Sequence, residues 1–140
     1  MPPREHEMRL RVRYGETDTM GVVYHANYLV YMEEGRSGLM RELGIPYSEL
    51  ERGGTFLAVR KADLRFRAPA RYDEELVVRT RIERLKAASV SFAYSIERAA
   101  DGTLLAEGST ELACLRDQDG ERRPALFSDE LRARLERAMT

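Results

Sequence analysis

Apolar residues alternate with polar ones near the start of the chain and then recur at helical spacing. From Met8 to Tyr14 every second residue is apolar and the residues between them are arginines, which predicts a half-buried β-strand. A helix is predicted after it, because apolar residues recur at spacings of three, four and seven: Leu29, Met32, Leu39, Met40 and Leu43. Gly44 and Pro46 then end the periodic pattern, as glycine and proline commonly do beyond a helix.

Short elements and a first long strand follow this helix. One more helical turn is expected at Tyr47–Arg52, before a pair of glycines. From Thr55 the pattern is that of a strand, but its apolar residues change parity near Arg60 and Lys61. A change of parity within one strand predicts a β-bulge at that point.

The remaining chain predicts three further strands and a closing helix. Apolar and polar residues alternate at 76–82 and 88–96, and a further strand is predicted at about 104–116. Asp101-Gly102 and Asp119-Gly120 are typical of tight hairpin turns. Ser128 is a suitable N-cap for the last helix, which carries acidic residues in its first turn.

The element order, one strand, a helix and then four strands, predicts an α+β protein. One helix cannot cover both faces of a five-stranded antiparallel sheet, so we expect a curled sheet around the helix, with the other face partly available for association. Gly35 and Gly38 lie inside the helix, where each costs about 1 kcal/mol relative to alanine. Close approach of a neighbouring backbone would account for them.

Composition narrows the class of protein. The length of 140 residues predicts a single domain, 1–140. The net charge is -1, from 23 basic and 24 acidic residues, and so gives no argument for binding to nucleic acid or to an anionic membrane. There is one cysteine, Cys114, and no apolar run long enough for a membrane span. The N-terminus lacks the apolar stretch of a signal peptide, so a cytoplasmic location is expected. His6 and His25 lack the spacing of a metal pair, so no metal is predicted.

The segment Tyr14 to Tyr28, YGETDTMGVVYHANY, combines a carboxylate, a glycine and an imidazole between the first strand and the helix. A helix N-terminus presents free backbone amides that stabilise a developing oxyanion, and Val23, Tyr24 and His25 occupy that position in the sequence. Gly21 permits a positive φ or close backbone approach. Asp18 is the candidate nucleophile or general base, and the sequence leaves both roles open.

This segment, together with RFRAPARYDEELVV at residues 65–78, resembles the 4-hydroxybenzoyl-CoA thioesterase family. The string GVVYHANY is most similar to the subgroup of Tol-Pal-cluster-associated acyl-CoA thioesterases. The resemblance implies a hotdog fold, in which the sheet wraps the central helix, and a homodimer that pairs into a homotetramer. It also implies that Asp18 is the catalytic carboxylate, that the amide near His25 polarises the thioester carbonyl, and that the His25 ring is catalytic or orients the substrate.

The same resemblance implies a set of substrate contacts. Lys86, with Arg84 close by, aligns with a basic position that contacts the CoA nucleotide in relatives. Gly21, Val23 and Asn27 are expected at the substrate, and Asn27 is a candidate for a hydrogen bond to the Asp18 loop. Thioester hydrolysis needs no cofactor, so none is expected beyond the CoA of the substrate.

The predicted function is therefore hydrolysis of an acyl-CoA, or acyl carrier protein, thioester. Two alternatives stay open: a hydratase or dehydratase acting on acyl thioesters, and a non-catalytic acyl-CoA-binding module. In another hotdog branch a helix glutamate supplies the carboxylate, but that branch lacks the Asp18-type motif, so Glu33 and Glu34 are expected to be a solvated or subunit-facing pair. No nucleic-acid partner is expected.

Overall fold

The computed structural model describes residues 5–139. The first four residues, part of the segment in which no signal peptide is predicted, lie outside that range. Six strands and three α-helices make up the described chain, in the following order: β1 Glu5–Arg11, α1 Asn27–Glu42, α2 Tyr47–Arg52, β2 Thr55–Phe66, β3 Glu75–Leu85, β4 Ser89–Arg98, β5 Leu104–Gln118, β6 Glu121–Pro124 and α3 Asp129–Arg137. No helix within residues 5–139 combines the length and the apolar character that crossing a membrane requires.

The sheet is antiparallel throughout and has the order β1-β3-β4-β5-β2. Helix α1 packs on its inner face, which confirms the α+β class and the hotdog arrangement of a sheet around a central helix. The predicted five strands are all present. A short sixth strand, β6, pairs with the end of β5 across the predicted Asp119-Gly120 turn. All four residues of β6 are exposed, so no apolar alternation marks it in the sequence.

The predicted bulge in β2 is confirmed. The register between β2 and β5 shifts between Val59 and Lys61, so Arg60 is the additional residue. The helix boundaries also follow the sequence signals, since Gly44 adopts a φ of +79° after α1 and the Ser128 hydroxyl accepts a hydrogen bond from Leu131 N at 3.2 Å.

The buried face of α1 differs from the predicted face at its first turn. Met32, Leu39 and Met40 are fully buried, but Leu29 is exposed. Tyr28 and Tyr31 occupy the interior instead. A buried tyrosine requires a partner for its hydroxyl. The Tyr28 hydroxyl accepts a hydrogen bond from Ala70 N, and the Tyr31 hydroxyl donates one to Glu16 Oε1.

Gly35 and Gly38 allow strands β3 and β1 to approach α1, but the neighbours are side chains and not the backbone that the sequence predicts. A Cβ at Gly35 would overlap the Thr80 hydroxyl and lie 2.9 Å from Val78 Cγ1. A Cβ at Gly38 would overlap the ring of His6. Both glycines therefore make room for inward-facing side chains of the sheet.

Tyr14 does not continue the inward face of β1. The strand ends at Arg11, Val12 is buried, and Tyr14 begins a short 3-10 turn, Tyr14–Glu16, with 77% of its surface exposed. Its ring packs edge-on against Tyr72, with 5.6 Å between ring centroids. The turn breaks the period of two, so side-chain direction no longer follows from strand alternation.

Candidate active site

A cleft of about 390 Å³ opens where the loop after β1, the start of α1 and the end of β2 meet. Its lining is mostly apolar, with one carboxylate and one imidazole: Asp18, Val22, Val23, His25, Tyr28, Phe66, Arg67, Ala68 and Pro69. Arg67 is paired with Glu107, since its Nη2 lies 2.6 Å from Glu107 Oε1. The cleft therefore offers an apolar surface beside the carboxylate of Asp18 and the imidazole of His25.

Backbone pairing holds the Asp18 loop against the segment before β3. Val23 N donates to Ala70 O at 2.8 Å, and Val22 forms an isolated β-bridge with Arg71. Within the loop, Asp18 N donates to Val22 O at 2.9 Å. Gly21 lies at the turn of this loop with a φ of +79°, which is one of the two roles left open by the sequence, and no atom lies within 4 Å of where its Cβ would be. Asp18 is thus placed by a closed turn and not by a free loop.

The two carboxylate oxygens of Asp18 have different environments. Oδ1 accepts hydrogen bonds from Met20 N at 2.8 Å and from Val22 N at 3.4 Å. No residue in the range 5–139 donates to Oδ2. One oxygen therefore fixes the side chain, and the other is open to water or to a substrate carbonyl.

The first turn of α1 leaves amides free beside the cleft. Asn27 N, Tyr28 N and Leu29 N donate to the carbonyls of residues 24–26. His25 N and Ala26 N donate to no acceptor among the residues that the structure describes. A free amide at a helix N-terminus favours negative charge in front of it.

Two of the three amides that the sequence places at this position are already used. Tyr24 N donates to Glu16 O at 2.9 Å, and Val23 N is bound to Ala70 O. Both amides are engaged in backbone hydrogen bonds, so the amides of this segment without an acceptor among residues 5–139 are those of His25, the third predicted donor, and Ala26. The Tyr24 side chain is exposed, and its ring lies against the His25 ring with 4.4 Å between centroids.

Asn27 supports the loop and does not line the cleft. Its Nδ2 donates to Glu16 O at 2.9 Å, two residues before Asp18, so its predicted hydrogen bond to the Asp18 loop is confirmed. Val23 lines the cleft, whereas Gly21 does not.

Arg84 and Lys86 lie far from the cleft of their own chain. They are at the C-terminal end of β3, whereas Glu75, at its other end, pairs with Arg11 near the Asp18 loop. At about 3.3 Å per residue the strand separates them from that end by roughly 30 Å. The Lys86 carbonyl accepts a hydrogen bond from Arg132 of α3. The single chain therefore does not bring the predicted CoA contacts to Asp18.

Sequence reasoning did not single out three residues of this region. Phe66, at the end of β2, lines the cleft and packs against Tyr28 with 5.3 Å between ring centroids. The Tyr28 hydroxyl accepts from Ala70 N at 3.3 Å, and burial raises the pKa of this hydroxyl. Glu16 accepts hydrogen bonds from both sides of the loop. Only the segment 65–78, as part of the resemblance, pointed to Phe66.

The described residues contain no cluster of three or more histidine, cysteine, aspartate or glutamate side chains that could hold a metal ion. Cys114 is buried within β5, where burial raises the pKa of its thiol. It is not part of the cleft.

Comparison with known proteins assigns the class. Residues 12–135 match the model of the thioesterase-like superfamily, and the chain belongs to this family. It is 40% identical over 106 residues to YneP of Bacillus subtilis, provisionally named an acyl-CoA thioesterase, with 76% of each chain covered. It is 34% identical over 106 residues to the acyl-CoA thioester hydrolase YbgC of Escherichia coli, covering 76% of this chain and 78% of that one.

A solved structure agrees with this assignment. The crystal structure of the hypothetical protein TT1821 from Thermus thermophilus superposes with a TM-score of 0.86 at 42% sequence identity. The match covers 94% of this chain and 97% of that one. The two proteins therefore share the fold over nearly their whole length.

Proposed function

We propose that this protein hydrolyses acyl-CoA thioesters to the free acid and CoA. One observation carries the proposal: in the cleft that Asp18 and His25 line, one carboxylate oxygen and the adjoining helix-terminal amides make no hydrogen bond with residues 5–139. Membership of the thioesterase-like superfamily and the acyl-CoA hydrolase names of its relatives support this substrate class.

In the proposed reaction the thioester carbonyl oxygen faces the amides of His25 and Ala26. As a nucleophile adds to the carbonyl carbon, negative charge develops on that oxygen and the two amides stabilise it. Collapse of the tetrahedral intermediate breaks the carbon–sulfur bond, and CoA leaves as its thiolate. Two roles for Asp18 fit its open Oδ2. It takes a proton from the attacking water, or it attacks the carbon itself to form an anhydride that water then hydrolyses.

The apolar walls of the cleft place the acyl group. Val22, Val23 and Phe66 surround the position beside Asp18, which favours an uncharged acyl chain. Contacts of CoA with Arg84 and Lys86 stay a prediction. Because these residues lie at the far end of β3, such contacts would have to cross a subunit boundary.

Replacement of the carboxylate tests the role of Asp18. Asp18→Asn should lower kcat for acyl-CoA hydrolysis by about 10²-fold or more, the scale expected on losing a general base. Glu33→Gln is the matched control, since it makes the same change at an exposed carboxylate of α1. Near-normal turnover of Asp18→Asn, or an equal loss in Glu33→Gln, would contradict the assignment.

Release of free thiol separates hydrolysis from the two alternatives. The wild-type protein is incubated with a panel of acyl-CoAs and acyl carrier protein thioesters, and a thiol reagent detects the product. Hydrolysis releases thiol, whereas hydration or simple binding does not. The same panel compares carrier types and chain lengths.

We further propose that the chain, as a single domain, forms a homodimer that pairs into a homotetramer. The support is the free edge of the sheet at β2, where residues 58–63 are exposed. An unpaired edge is a ready surface for pairing with a second copy.

A further inference from the structure

Glu16 connects the segments on both sides of the candidate site. It is the last residue of the 3-10 turn, two residues before Asp18, and only 17% of its side chain is exposed. Its Oε1 accepts hydrogen bonds from Arg13 N at 2.8 Å and from the Tyr31 hydroxyl at 2.9 Å. Its backbone carbonyl accepts from Tyr24 N and from Asn27 Nδ2, each at 2.9 Å.

These four bonds join the segments that flank the reacting groups. Through its side chain Glu16 joins the exit of β1 to the second turn of α1, and through its carbonyl it holds the residue before His25. Asp18 follows two residues later on the same loop. Glu16 therefore helps to set the distance between the carboxylate and the free amides, together with the backbone bonds of Val22 and Val23.

Glu16 itself does not line the cleft, so it does not touch the substrate. Tyr31 is buried, and burial together with the Glu16 carboxylate raises the pKa of its hydroxyl, which therefore stays a donor. The ion pair with Arg13 is long, at 3.6 Å, and the Arg13 side chain is exposed. Both short side-chain bonds thus go to a single acceptor oxygen, which an amide can supply as well as a carboxylate can.

We propose that Glu16 is a positioning residue of the active site, acting through Oε1 as a hydrogen-bond acceptor and not through its charge. The inference rests on the proposed thioesterase function of the same cleft. A displacement of about 1 Å between reacting groups can lower the rate by about 10²-fold. Loss of the hydrogen bonds of Glu16 should therefore lower kcat.

The kinetic test compares Glu16→Gln, Glu16→Ala and Tyr31→Phe with Asp18→Asn as the reference for loss of chemistry. Gln retains the acceptor oxygen, so Glu16→Gln should keep kcat within about threefold of wild type. Glu16→Ala should lower kcat by at least about tenfold, with KM changed by less than about threefold, because orientation and not substrate affinity is lost. The kcat of Tyr31→Phe should lie between those of Glu16→Gln and Glu16→Ala, since this change removes one of the two hydrogen bonds to Oε1.

Hydrogen exchange supplies a readout that does not depend on activity. Peptides covering residues 17–26 should exchange faster in Glu16→Ala and Tyr31→Phe than in wild type. In Glu16→Gln their exchange rate should equal that of wild type. Peptides from β4 and β5 serve as the internal control for global unfolding. If the wild-type protein hydrolyses no thioester, the proposed function fails while the exchange result still tests the hold on the loop.

Three results would overturn the proposal. A loss in Glu16→Gln as deep as that in Asp18→Asn would make Glu16 a participant in the chemistry. Wild-type kcat in both Glu16→Ala and Tyr31→Phe would show that the contacts do not position the site. Unchanged exchange of residues 17–26 in a folded Tyr31→Phe would show the same, even if Glu16→Ala failed to fold.

Discussion

His25 contributes two different groups to the cleft, a backbone amide and an imidazole ring. The amide has no acceptor among the described residues, whereas the exposed ring lies against Tyr24 and makes no hydrogen bond within that range. A ring without a second contact is poorly oriented for proton transfer. The amide is therefore the stronger candidate for direct action on the carbonyl.

His25→Ala separates the two groups, because it removes the ring and keeps the amide. We expect kcat to fall by less than about tenfold, well short of the loss expected on removing a general base. The measurement is steady-state hydrolysis beside Asp18→Asn, with thermal unfolding as the control for folding. A loss equal to that of Asp18→Asn would assign catalysis to the imidazole.

Helix α1 and strand β3 are packed closely at Gly35, so a substitution there tests the contact between the two elements. Gly35→Ala should gain about 1 kcal/mol of helix propensity, but overpacking against Thr80 and Val78 should cost about 1–3 kcal/mol. We expect net destabilisation, measured by chemical denaturation. Thr80 Oγ1 has no hydrogen-bond partner within residues 5–139, so removing it sacrifices no such bond.

Thr80→Ala provides the control for that packing argument. In the Thr80→Ala background the destabilisation by Gly35→Ala should shrink, because the hydroxyl that overlaps the new methyl group is gone. Equal destabilisation in both backgrounds would show that the contact with Thr80 is not the cause.

The β4–β5 hairpin contains a carboxylate whose charge stabilises the turn. Thr103 N donates to Asp101 Oδ1 at 3.0 Å and Arg98 Nη1 lies 3.1 Å from Oδ2. These contacts, Thr103 first, lower the pKa of Asp101 below its ordinary value of 3.8. A lowered pKa in the folded state means that the stabilisation is present above the unfolded-state pKa and is lost as the pH falls through the folded-state pKa.

Asp101→Asn keeps the acceptor and removes the charge. Its Tm should lie below that of wild type at pH 6, and the difference should close as the pH falls below about 4. Thermal unfolding across that range is the measurement. A difference that does not vary with pH would assign the effect to something other than the ionised carboxylate.

At the scale of the whole molecule, the free edge at β2 and the cleft are adjacent, since Phe66 ends that strand and lines the cleft. Pairing of two copies through β2 would therefore place both candidate sites beside the subunit boundary. This arrangement offers a route by which basic residues of one subunit reach CoA bound to the other.

Val59→Lys tests the proposed pairing, because Val59 is a half-exposed apolar residue of β2 and a charge there opposes edge-to-edge contact. We expect the sedimenting mass to shift toward the 16.1 kDa of one chain. Leu126→Lys makes the same change at an apolar residue outside β2 that is 68% exposed, and it should leave the mass unchanged. An unaltered assembly in Val59→Lys would contradict pairing through this edge.

Features that depend on neighbours along the chain follow from the amino-acid sequence. The order of the main elements, the end of α1 before Gly44 and the bulge at Arg60 are local, because side-chain period and backbone preference act over a few residues. The candidate carboxylate at Asp18 was recognisable for the same reason, since its motif is contiguous.

The folded structure was needed to learn which groups face one another. It paired Val23 with Ala70, brought Phe66 to Asp18, and left His25 and Ala26 as the free donors by binding Tyr24 N to Glu16. It also showed that Arg84 and Lys86 lie at the end of β3 remote from the cleft and that Tyr14 is exposed. These outcomes depend on hydrogen bonds and packing between segments that are distant in sequence, which no local period records.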